Sequence, residues 1–189
     1  MGAILRSFRA GAIGTIGVTL TLLGASASKA ADNPVLRSVL TLCRANHSRA
    51  TEVLAAADRD GWKSMPSVAN SWVEHRFKDI EGKGQMLGVM RMPMALADGT
   101  KAMAHQCQVN GYLSADLLPS LRALMGHPPT DNGPGSIIAD WFFTERNGKR
   151  EFLPNDAAMA AAVKTGPVEC VMVSKAGYVA FIEIVAAKP

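Results

Sequence analysis

The run Met90-Arg91-Met92-Pro93-Met94 sets three thioethers at alternate positions, and Met103, His105 and Cys107 follow at alternate positions further on. Period two is the strand period, so each trio shares one face of its own strand. Ala97-Asp98-Gly99-Thr100 lies between them and predicts a hairpin over 85–96 and 101–111. A four-residue loop closed by Leu96 and Lys101 sets Met94 opposite Met103, Met92 opposite His105 and Met90 opposite Cys107. Directly opposite residues share a face, so this register expects one surface carrying Met90, Met92, Met94, Met103 and His105. Thioether and imidazole donors together suit Cu(I). Methionine is also an adaptable filler of sheet cores, and the same pattern serves that role with no metal. Pro93 faces Ala104 in this register and is tolerated if its strand is an edge.

Cys43 and His47 stand one helical turn apart, a spacing that admits a Cys/His zinc site if the thiolate is free. No nucleophile-elbow sequence, two-histidine helical metal motif or phosphate-cradling glycine loop occurs, and Gly133-Pro134-Gly135-Ser136 has the wrong order for either glycine motif. His75 and His127 are isolated in the chain. Asp140 and Glu183 fall in strand-like segments, facing either a cleft or solvent, with no partner visible.

These residues need elements to position them. Asn33 or Asp32 caps a helix that Pro34 starts. Leu36, Val39, Leu40, Cys43, His47, Ala50, Leu54 and Ala57 recur at steps of three and four as one apolar stripe. Asn46 or Ser48 can divide it, Gly61 closes it, and Trp62 falls where a Schellman contact returns to Ala57. A polar stretch, 67–80, allows another short helix. Ser114 caps a leucine-rich helix ended by Gly126, and His127 to Ser136 form a Pro/Gly-rich loop, a connector or a cover for a pocket. Asn147-Gly148 turns a second hairpin, Asn155 starts an alanine-rich helix, and Lys175-Ala176-Gly177 turns a third hairpin over 168–174 and 178–185. The expected fold is α+β: an antiparallel sheet of five or six strands built from three hairpins, with helices packed on one face.

Residues 1–30 have the three parts of a secretory signal peptide. Arg6 and Arg9 are cationic, Gly11 to Ala25 is uncharged and largely apolar, and small residues at Ala25, Ala27, Ser28 and Ala30 suit cleavage after Ala30 or after Ala27. The apolar run falls short of the ~20 residues of a spanning helix. Cleavage after Ala30 leaves residues 31–189 as one domain with 17 basic and 16 acidic residues, lowering the net charge from +4 to +1. No cluster of Lys and Arg remains to track a nucleic acid. The expected location is periplasmic or secreted, with no integral membrane segment after cleavage.

An oxidising compartment favours a disulfide among Cys43, Cys107 and Cys170. Cys43 lies on the apolar stripe and faces the sheet, which favours Cys43 with Cys107. Cys107 with Cys170 is the alternative, requiring adjacent strands. Cys43, the segment Asp58-Arg59-Asp60-Gly61-Trp62 and Cys107 ahead of a leucine-rich helix together resemble a family of small exported bacterial proteins of uncharacterised function. That resemblance implies the Cys43–Cys107 pairing and no established activity. The sequence as a whole is read as a non-catalytic binding or accessory module for a protein or small-molecule partner, with no cofactor. The alternatives are a copper-handling protein using the methionine hairpin, and a hydrolase whose site carries no motif.

Overall fold

A computed structural model describes residues 33–65, 73–80, 82–111, 114–130 and 135–187. The expected signal peptide and its cleavage points lie outside them, as do residues 66–72. Among the described residues, no helix is long and apolar enough to cross a membrane.

Eight strands form one antiparallel sheet: β1 (Lys63–Ser64), β2 (Glu74–Ile80), β3 (Lys83–Ala95), β4 (Lys101–Asn110), β5 (Ile137–Arg146), β6 (Lys149–Phe152), β7 (Val168–Ser174) and β8 (Tyr178–Ala186). Their spatial order is β1-β2-β3-β4-β8-β7-β5-β6. The expected five or six strands are thus corrected to eight among the described residues. The three hairpins account for six, and β1 and β2 are the additions. Part of the stretch read as a short polar helix is β2. Its sequence, Glu-His-Arg-Phe-Lys-Asp-Ile, lacks an apolar alternation because its inward side chains pair with charges on a helix. Arg76 Nε donates to Asp58 at 2.7 Å, and Lys78 Nζ to Asp60 Oδ2 at 3.0 Å. The strand is held by its backbone pairing with β3, and its polar side chains offer no hydrophobic period to reveal it.

The helices are α1 (Pro34–Ser38), α2 (Ala50–Arg59), α3 (Leu117–Met125) and α4 (Asp156–Val163). The Asn33 side chain caps α1 by accepting from the Leu36 amide. After α1 the chain widens into one π turn, Val39–Cys43, and tightens into a 3-10 turn, Arg44–Asn46. The stripe then breaks at His47 and Ser48, both in the left-handed region. Trp62 N donates to Ala57 O at the end of α2, the expected Schellman contact, with Gly61 at φ 79°.

Helices cover both faces of the sheet, which corrects the one-face expectation. The larger core packs Leu36, Val39, Val53, Ala57, Leu117 and Leu121 onto Val89, Cys107, Trp141, Phe143, Val171 and Phe181. On the opposite face Met159, Ala160 and Val163 of α4 pack against Ala102, Ala104, Val168 and Ile184. β7 explains why a second cover is needed. Val171 and Val173 belong to the first face, yet Val168, Cys170 and Met172 are buried on the other, so the strand is apolar on both sides.

The first hairpin also departs from expectation. Leu96 N donates to Thr100 O and Gly99 N to Leu96 O, both at 2.9 Å, so the loop has three residues with Gly99 at φ 80°. A type I turn followed by a left-handed glycine is the common form of such a loop. Shortening the loop by one residue moves the pairing by one, and a one-residue slip exchanges the faces of one strand relative to the other. Met94 consequently faces Ala102, Met92 faces Ala104, Met90 faces Gln106, Pro93 faces Met103 and Arg91 faces His105.

Candidate functional site

Cys43 and Cys107 lie at disulfide distance, with S–S 2.01 Å and Cα atoms 5.3 Å apart. The bridge joins the end of the π turn to the centre of the sheet. Cys170 is free and buried on the opposite face, where burial pushes its thiol well up from the usual range. Phe181 is the β8 partner of Cys107, and it anchors the next segment: Ser48 Oγ donates to Phe181 O at 2.7 Å while Ser48 N donates to Cys43 O at 2.9 Å. Bridge and hydroxyl together hold residues 44–49 over the sheet.

One step along from this row, the same face changes character. Arg91 on β3, His105 on β4, Glu183 on β8, Glu169 on β7 and Phe143 on β5 are successive partners across the strands. Two carboxylates placed directly opposite repel, and the overlying segment offsets that. His47 Nδ1 lies 3.0 Å from Glu183 Oε1 and Arg49 Nε 4.0 Å from Glu183 Oε2. Arg44 Nε lies 3.5 Å from Glu169, and the same guanidinium donates to Glu145, which Arg150 also binds at 3.3 Å. The His47 side chain is 56% exposed and that of Glu183 only 5%. With Nδ1 against a carboxylate, a neutral His47 carries its proton there and keeps Nε2 as an acceptor. Left-handed backbone at the non-glycine residues His47 and Ser48 is uncommon and persists where surrounding contacts impose it, a pattern concentrated at functional sites.

Two groups here have displaced acidities. Burial and the neighbouring Arg91 hold His105 below the ordinary imidazole value, against the opposing pull of Glu183. Burial raises the Glu169 carboxyl more than Arg44 lowers it, and Glu145 adds to the rise.

The expected metal residues are divided between faces. Met90, Met92 and Met94 lie on the α4 side, where Met94 packs against the smaller core and Met92 is 39% exposed. Met103 and His105 lie on the bridge side, so the shared surface expected of the five does not form. Cys43 is taken by the bridge, and His47 turns to Glu183 instead of joining a thiolate. Among the described residues no three His, Cys, Asp or Glu side chains are grouped to hold a metal ion. His75 on β2 is partner to Gly88, and Asp140 is buried on the face away from Glu183. His127 stacks on Phe152 at 4.2 Å and accepts from Trp141 Nε1 through its carbonyl at 2.8 Å. The described start of the Pro/Gly-rich loop therefore lines an open cleft of about 300 Å³ with Phe142 and Pro154. A wider groove, about 650 Å³, runs past Arg37, Thr41, Arg59 and Lys78.

The charged row joins residues singled out for other reasons, His47, His105 and Glu183, to Arg44, Arg49, Arg91, Glu145 and Glu169, which no motif marks. Alternation places Arg91 with His105 once the three-residue loop is known. Nothing local indicates that β4 neighbours β8 or that segment 44–49 crosses above them. Comparison with protein-family models, curated proteins and solved structures finds no match to this chain.

Proposed function

We propose that this protein is a non-catalytic binding module that works after export, in an oxidising compartment. The observation that carries the reading is the Cys43–Cys107 bridge, which fastens a strained, charge-bearing segment over the sheet and holds recognition groups in place before any partner arrives. Such preorganisation lowers the ordering cost of binding. The His47–Glu183 pair supplies orientation, and the adjoining Ser48 hydroxyl is already committed to the Phe181 carbonyl. The expected result is a processed protein recovered outside the cytoplasm, with two cysteines oxidised and no turnover of ester, amide or phosphoester substrates. Cell fractionation with N-terminal sequencing, thiol titration in denaturant and a hydrolase panel measure these points. Three free thiols in the processed protein, or an activity abolished by His47→Ala, would overturn the proposal.

A further inference from the structure

We infer that Arg49 and Arg91, standing on the two sides of His105, form around it a binding site for a small tetrahedral oxyanion of the phosphate class. This rests on the binding-module reading and names the chemistry its charged row recognises. Arg91 reaches His105 from the β3 side, as its direct cross-strand partner. Arg49 reaches it from the other side, above Glu183, which is the β8 partner of His105. The two guanidiniums are both available. Arg91 is exposed and makes no ion pair among the described residues, while Arg49 is 58% exposed and touches Glu183 only at the limit of ion pairing, 4.0 Å. Planar guanidinium forks match phosphate oxygens in pairs, and two forks approaching from different sides suit a tetrahedral anion better than a planar carboxylate.

The charges facing His105 are Arg91 from β3, Glu183 from β8, Arg49 from the segment before α2 and Glu52 from α2, with His47 beside Glu183. Burial and the two guanidiniums disfavour the imidazolium, and the two carboxylates favour it. An anion seated between the guanidiniums cancels their effect, so binding takes up a proton at His105. Glu183 opposes a second anion, but it is buried and already held by His47, so on the outward side two exposed guanidiniums stand against the single exposed carboxylate of Glu52.

The test uses the mature, disulfide-bonded protein, titrated at constant ionic strength and followed through the histidine Cε1 proton resonances, that of His105 being assigned with His105→Gln. Inorganic phosphate is one arm, glycerol phosphate a second and acetate a third. Both phosphates are expected to saturate and to raise the titration midpoint of His105, acetate to act at least about tenfold more weakly, and Arg91→Gln and Arg49→Gln each to weaken phosphate by about tenfold. Arg37→Gln, in the separate groove, is expected to leave binding unchanged. Preference for glycerol phosphate over inorganic phosphate identifies a phosphomonoester as the ligand, and the reverse identifies free phosphate; either supports the site. Equal response to acetate, or phosphate binding unaffected by both arginine variants, overturns it. Absence of an oxyanion response with a blank hydrolase panel removes this site alone. Release of inorganic phosphate from glycerol phosphate, lost in the arginine variants, overturns the non-catalytic reading and keeps the anion site.

Discussion

Glu169 and Glu183 face one another across β7 and β8 on a largely buried row, and burial outweighs Arg44 at Glu169. A carboxyl whose folded pKa is raised contributes stability that is complete below its unfolded value, near 4.3, and is lost as pH rises through the folded value. Glu169→Gln removes that loss. Its Oε2 accepts no hydrogen bond, and Arg44, which pairs with it at 3.5 Å, keeps Glu145 as a partner in the variant. We expect the variant to be more stable than the parent by about 1 kcal/mol at pH near 7, a rise of roughly 2–4 °C in Tm, and equal to it near pH 4. His105 has the opposite sign. Its folded pKa is lowered, so the stability of its neutral form is present above about 6.5 and is lost as pH falls through the folded value. Thermal melts of His105→Gln from about pH 7 down to about pH 5 should fall less steeply than those of the parent.

At the scale of elements, the first hairpin shows how little chain decides a face. Ala97-Asp98-Gly99-Thr100 marks the turn correctly, but loop length follows from where the backbone hydrogen bonds close, and Leu96 with Thr100 closes a three-residue loop. Asp98 Oδ1 accepting from Thr100 N and the left-handed Gly99 hold that form. A side chain at φ 80° costs about 1–2 kcal/mol, so Gly99→Ala should lower the urea midpoint accordingly without changing the m-value. The second and third hairpins were legible because Asn147-Gly148 and a single left-handed Gly177 admit few loop geometries. β2 was not legible. Its charged side chains read as a solvated helix until Asp58 and Asp60 of the α2 end are placed above Arg76 and Lys78. The outermost strands of the sheet are short, the two residues of β1 and the four of β6.

For the whole molecule, the bridge closes a separation of 64 residues and restricts the unfolded chain by about 4 kcal/mol in the loop-entropy treatment. Reduction, or the double substitution Cys43→Ser with Cys107→Ser, should cost about 2–5 kcal/mol in chemical denaturation. It should also release segment 44–49, visible as faster amide exchange at Ser48, whose N–H bonds the Cys43 carbonyl. The parent is expected to show no reactive thiol when native and one when denatured, since Cys170 is buried.

By itself the sequence determined the α+β class, the three hairpins, the helix ends at Gly61 and Gly126, a first cap at Asp32 or Asn33, and the pairing favoured for Cys43. Each follows from a period, a turn residue or a stripe confined to a short stretch of chain. Only the tertiary structure decided the strand count, the cover on both faces, the separation of the methionines from His105, and the row in which Arg91, His105, Glu183 and Glu169 meet. Those depend on loop closure and strand order, through which residues far apart in sequence become neighbours. Backbone hydrogen bonds and two-sided burial select that order, and no local pattern encodes it.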